Sequence, residues 1–198
     1  MADFTKTGTQ VDEWAVVGPA TLREGATFAI ADDLRIRADV TVCKGEATAH
    51  DGNGYVIVEG SWNTTGDEDW TELISFMITA ETAVGTTLDV EASATDTLVP
   101  LTATTDMETK GDRYFIKNGT IGNSEVVRNN GNSSGVSITI LDGLTNTQAN
   151  ATPIFTGVED FSFGFPAEYR RGRILIKNLD ADCDIVTRTT IAKVTDIE

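Results

Sequence analysis

The sequence predicts an all-β protein: an antiparallel β-sandwich, jelly-roll-like in character, carrying an inserted small β-meander or barrel module. Three observations point there. Residues 34–43 (LRIRADVTVC) put Leu34, Ile36, Ala38, Val40 and Val42 on one face and Arg35, Arg37, Asp39 and Thr41 on the other, the period of two of a strand with one wet side. About ten such short runs follow one another, separated by clusters of Gly, Asn, Asp and Ser, which is the spacing of sandwiches and barrels. No apolar series at i, i+3, i+4, i+7 persists without meeting a Gly, a Pro or a β-branched cluster, so no amphipathic helix is expected.

The elements follow in order. Residues 1–12 are polar, with isolated Phe4 and Val11, and hold too little apolar surface to fold alone. They read as an arm, lying either on a neighbouring subunit or back on its own domain. Residues 13–17 and 26–31 are short apolar strands, with Gly18-Pro19 and the polar Arg23-Glu24-Gly25 between them. Cys43 breaks the alternation of 34–43 and marks a strand end or a bulge. Residues 55–62 resume the strand pattern, 63–69 (NTTGDED) form a polar loop, and 70–79 (WTELISFMIT) alternate softly, as expected of a strand partly covered on both faces.

From 80 to 106 the composition shifts to Thr, Ala, Asp and Ser, with short strands at 87–90 and 98–101 and a candidate module boundary. Residues 111–144 hold three β-type runs, 114–117, 125–128 and 136–141. Asn-Gly pairs among them reach the positive φ of tight turns, so the stretch predicts a meander. Phe161, Phe163 and Phe165 alternate in 155–165, residues 166–172 form a turn-rich basic tip, and 173–178 and 183–194 are closing strands. Strong terminal strands usually pair with existing sheet. The expected organisation is therefore an arm (1–12), a sandwich (13–92 plus 155–198) and an inserted β-module (93–154), with two consecutive domains as the alternative.

A chain of 198 residues can bury a real core without metals or staples. Its net charge of −16 opposes unspecific binding to a nucleic-acid backbone or an anionic membrane. The excess is uneven: 18 acids against 5 bases precede Pro100, and 13 against 10 follow it. The start, MADFTKTGTQVDEW, lacks the basic and apolar regions of a signal peptide, and no apolar run nears the roughly 20 residues of a bilayer span, so a soluble protein made in the cytoplasm is expected. Cys43 and Cys183 sit in apolar alternating runs and read as free core thiols rather than a disulfide.

Nothing in the chain spells chemistry. The single histidine, His50, lies in a turn beside Asp51-Gly52-Asn53-Gly54, with no nucleophile elbow and no metal-ligand spacing around it. The acidic loops at 51–54 and 66–69 do not fit a calcium-loop pattern. No catalytic residue, cofactor or metal is expected. The one basic cluster, Arg170, Arg171 and Arg173 after Tyr169, reads either as an intersubunit contact with carboxylates, which guanidinium forks pair bidentately, or as a solvated hairpin tip.

The opening MADFTKTGTQVDEWAVVGPATLREGATFAIADD, the segment GDEDWTELISF, the cassette GDRYFIKNGTIGNSEVVR with ITILDGLTN, and the ending DCDIVTRTTIAKV resemble small acidic β-proteins encoded among the virion genes of tailed bacteriophages. The resemblance implies a structural protein of the virion, foremost a capsid decoration or cement protein bridging capsid subunits, with a neck or tail component next in line. It implies the major capsid protein or other virion proteins as partners, a homo-oligomer, and neither nucleic acid nor membrane. No catalytic residues come with it. In that setting the contact residues are Phe4 and Trp14 in the arm and Tyr169, Arg170, Arg171 and Arg173 at the tip. A receptor- or glycan-binding β-module is the alternative, and it would stack Trp62, Trp70 and Tyr55 on one concave face.

Overall fold

The computed structural model describes residues 4–11, 14–30, 35–45, 52–66, 69–79, 83–103, 107, 110–131 and 136–197. Its strands pair antiparallel throughout, and the only helical turn among the described residues is a 3-10 turn at Ile121–Asn123. One sheet runs β1 (Phe4–Val11), β16 (Ile185–Ile197), β5 (Arg35–Lys44), β14 (Val158–Phe165), with β2 (Ala15–Val17) also paired to β16. The second runs β3 (Leu22–Glu24), β15 (Arg171–Asn178), β6 (Gly54–Ser61), β7 (Trp70–Ile78), with β4 (Phe28–Ala29) on β15.

The two sheets pack as a sandwich because their alternating apolar faces meet. Ile36, Ala38, Val40 and Val42 of β5 share one buried cluster with Val56, Val58, Ile174 and Ile176 of the other sheet. Each fully buried aliphatic side chain of this kind stabilises the fold by about 1.5–3 kcal/mol. Phe28 meets Phe165 edge-on, with ring centroids 5.0 Å apart and an interplanar angle of 87°. The all-β sandwich expected from the alternation is therefore what the chain builds.

Two irregularities in the sequence pattern have structural causes. β5 runs through Cys43 to its last residue, Lys44, without a register shift against either neighbour, so the phase break is no bulge and lies at the strand end. Cys43 is buried on the face opposite Val42 because Trp14, Ala83, Phe115, Phe155 and Val186 cover that face. In β7 the soft alternation is a bulge: Val58 faces Ile74 and Glu59 faces Glu72, leaving Leu73 without a partner across the ladder. The bulge switches faces along the strand, so Trp70 and Glu72 lie outside while Ile74, Phe76 and Ile78 turn toward the core.

Between β7 and β14 the chain forms a second sheet system, ordered β11 (Glu125–Arg128), β10 (Arg113–Ile116), β13 (Pro153–Phe155), β8 (Gly85–Thr87). A two-stranded ribbon of β9 (Leu98–Pro100) and β12 (Ser137–Thr139) accompanies it. Leu88, Val99, Leu101, Tyr114, Ile138 and Ile154 belong to their common buried cluster. The meander expected over 111–144 holds for its first two runs only, since β12 pairs with β9 and meets the end of β11 through the single bridge Asn129 to Ile140. Asn118-Gly119 is not a tight hairpin turn. Gly119 has no positive φ, and the connection instead carries the 3-10 turn, with Asn118 Oδ1 accepting from Thr120 N at 2.8 Å.

Lys44 fixes the chain where it leaves β7. Its ammonium is buried and donates to Thr79 O at 2.6 Å, with Glu159 at 3.5 Å, while Glu159 Oε1 accepts from Thr79 N at 3.1 Å. A buried cation is tolerated only with such partners.

Candidate functional site

The residues expected to make contacts fall in three places. Phe4 opens β1, where its backbone pairs with Ile197 of the same chain; of the two placements expected for the arm, the structure has the fold-back. Trp14 is not an exposed contact residue. It is 6% exposed, with its ring 5.2 Å from that of Phe115 and the Arg188 guanidinium 5.8 Å from its centroid. An indole beside a strand rich in apolar residues lowers its free energy by joining a core, and this one joins the cluster holding Phe115, Phe155 and Val186.

The other four residues meet at one end of the sandwich. β14 ends at Phe165, Pro166 starts the turn, and Tyr169 N donates back to Pro166 O at 3.3 Å. Tyr169 is 8% exposed, which corrects the expectation of an exposed tip residue: its ring lies where a Cβ on Gly60 would stand, 2.6 Å from Cδ1. Only a glycine lets the ring approach this closely. On Tyr169 stacks Trp62, with centroids 4.5 Å apart, and Trp62 remains 54% exposed.

Arg171 and Arg173 belong to β15 rather than to the turn, and both turn inward along the outer face of the sheet. Their guanidinium carbons lie 4.9 and 4.3 Å from the Trp70 ring centroid. Arg171 Nε donates to Asn63 O at 2.7 Å and its Nη2 to Gly66 O at 2.5 Å, which ties down the loop after Trp62. Arg173 Nε pairs with Glu59 at 2.6 Å, and Glu24 stands 3.8 Å from its Nη1. The carboxylates expected across a subunit interface are thus supplied by the same chain for Arg173.

Arg170 differs. Its backbone is held on both sides, N to Ser61 O and O to Ile30 N, each at 2.8 Å. Its side chain is exposed and has no carboxylate partner among the described residues. The corner therefore presents the exposed ring of Trp62 and the exposed side chain of Arg170, whose backbone N–H donates to the O of Ser61, next to Trp62 in the chain, and which has no carboxylate partner among the described residues. That pairing can hold an aromatic or aliphatic side chain next to a carboxylate; it offers no nucleophile. No group of three or more metal-ligating side chains occurs among the described residues. His50 and the acid pair 67–68 lie outside the described residues.

Sequence reasoning singled out Tyr169 and the arginines but placed Trp62 only in the glycan alternative. The signal that could have joined them is Gly60, two residues before Trp62 on β6, where a strand interior otherwise favours a side chain.

No protein-family model matches the chain, and no curated protein matches it. Among solved structures it is similar to the PBSX exported protein XepA at 7% identity, over 93% of this chain and 86% of that one, with a TM-score of 0.27. It is similar to the VP2 subviral particle of infectious bursal disease virus at 7% identity, over 98% and 82%, with a TM-score of 0.21. It is also similar to VP17, a capsid protein of bacteriophage P23-77, at 8% identity, over 97% and 99%, with a TM-score of 0.22. TM-scores of this size define no shared topology.

Proposed function

We propose that this protein is a structural component of a tailed-phage virion, a capsid decoration or cement protein that bridges capsid subunits, with a neck or tail component as the second placement. The carrying observation is the corner where the exposed Trp62 is held on Tyr169 and the exposed Arg170 has no carboxylate partner among the described residues, on a chain whose net charge is −16. Tryptophan, tyrosine and arginine are the residues that concentrate binding energy in protein interfaces. An isolated guanidinium on an acidic body selects an acidic patch on its partner, since other approaches are repelled. The sequence resemblance supplies the virion setting. In this reading the partners are the major capsid protein, other virion proteins and further copies of the chain, and no catalysis is involved.

The glycan-binding alternative loses its geometric basis. Tyr55 pairs with Met77 and Lys177 at one end of β6, and Trp70 pairs with Ser61 at the other. Six residues of strand separate them, roughly 20 Å. Trp70 is also covered by two guanidinium groups. The three aromatics form no common platform.

The test is incorporation. The full chain, tagged and produced during phage growth, is followed through density-gradient purification of particles. Fixed stoichiometry in the particle band, reduced by W62A/R170E, supports the role; absence from the band overturns it.

A further inference from the structure

Among the described residues the flank of the sandwich bounded by β7 and β14 is open. Each strand ends its sheet, and neither has an outer neighbour among the described residues. The two edges lie one over the other, with the rings of Phe76 and Phe161 5.4 Å apart. Between them Leu73, Phe76, Phe161 and Phe163 are only partly buried against the core, and Ile74 is 36% exposed. These side chains pack against the core from the flank and keep part of their apolar surface exposed.

The free lengths of the two edges match. The bulge at Leu73 interrupts β7 and leaves residues 74–78. In β14, Glu159 is engaged by Thr79 N and Asp160 by Arg113, which leaves residues 161–165. These stretches read ISFMI and FSFGF, and neither holds a charge or a proline, in a chain with 31 acids and 15 bases. Edges of soluble sheets are ordinarily blunted by Lys, Pro or charge. These two are not.

A single operation covers both edges and the seam together. A twofold axis normal to the layers sets β14 antiparallel to its own copy and β7 antiparallel to its own copy, with the apolar seams facing each other. Two molecules of this net charge repel unless they meet where charge is missing, and this strip is such a place. We propose that the β7–β14 flank is the self-association surface of the protein, occupied by a second copy of the chain in an isologous dimer. The inference deepens the assembly role above by naming where copies meet.

Sedimentation equilibrium on the full chain reads it, and because it reads mass alone, its failure is distinct from failure of particle incorporation. Wild type sediments as a dimer at micromolar concentration. The variant S162E/G164E places acids at two exposed positions of the free edge, and a Cβ on Gly164 meets nothing within 4 Å. Antiparallel pairing centred on Phe163 sets position 162 of one copy opposite 164 of the other, so the dimer weakens about tenfold or more from like-charge repulsion. Ser75→Glu, on the other edge, gives the same reading if the first variant loses its fold. V136E/L141E adds equal charge at exposed positions of the inserted segment and leaves the mass unchanged. A monomeric wild type overturns the proposal, as does a dimer indifferent to the edge acids or one equally weakened by V136E/L141E.

Discussion

Tyr169 occupies the space that a side chain at Gly60 would need: a Cβ there would stand 2.6 Å from Tyr169 Cδ1 and 2.8 Å from Cγ. Gly60→Ala therefore pushes the ring outward and breaks the stack that holds Trp62. Overpacking of this kind costs about 1–3 kcal/mol. Urea unfolding followed by tryptophan fluorescence checks it, with Gly119→Ala as the comparison, since nothing lies within 4 Å of a Cβ at Gly119. An equal midpoint for the two variants would sink the packing account.

Arg173 pairs with Glu59, an acid that the β7 bulge sets opposite a second one, Glu72. Arg173→Met leaves Glu59, whose side chain is only 18% exposed, without its cation. A loss of about 1.5–3 kcal/mol is expected, the range of a hydrogen bond to a charged group. Glu59→Gln in the same chain should restore part of it, and a double-mutant cycle with a coupling near zero would count against the pair.

Trp14 distinguishes a core role from a contact role. Trp14→Ala removes a ring packed on Phe115 and should lower the stability of the free protein by about 3–5 kcal/mol. Thermal unfolding of the isolated chain measures this. Unchanged stability would return Trp14 to the surface.

Cys43 is sealed from solvent, and burial pushes its thiol pKa well above the ordinary range, with Arg113 and Lys44 pulling the other way. The thiolate is the reactive form, so the native protein should not react with a disulfide reagent at Cys43, whereas the denatured chain should. The sign for stability follows. Above the unfolded thiol value near 8.5 the unfolded state releases a proton that the native state keeps, so the contribution of Cys43 falls by up to about 1.4 kcal/mol per pH unit as pH rises. Urea midpoints for wild type and Cys43→Ala, compared between neutral and alkaline pH, should converge; parallel curves would contradict the shift.

The all-β class was legible because period-two alternation is a local property. Val40 and Val42 face the core because of where they stand relative to their own neighbours along β5. The same locality explains what was missed. Cys43 breaks its pattern because residues more than seventy positions away, Phe115 and Phe155, cover the back of its strand. Run 136–141 looked like the third strand of a meander, yet Ile138 pairs with Val99, and no adjacent residue announces that partner.

The candidate site divides in the same way. Tyr169 and the arginines stood out as the one basic and aromatic cluster of an acidic chain, which composition alone reveals. Which of them are spent inside the fold was decided by the register of β15 on β6, because that register sets Arg173 beside Glu59 and brings Arg171 and Arg173 over Trp70. By itself the sequence determined the strands, the charge and the residues rich enough to make contacts. The tertiary structure decided that Trp14 is core, that Arg170 and Trp62 stay exposed, and that β7 and β14 end their sheets with no outer neighbour among the described residues. The physical reason is that alternation and charge are written residue by residue, whereas burial depends on which distant strand arrives opposite.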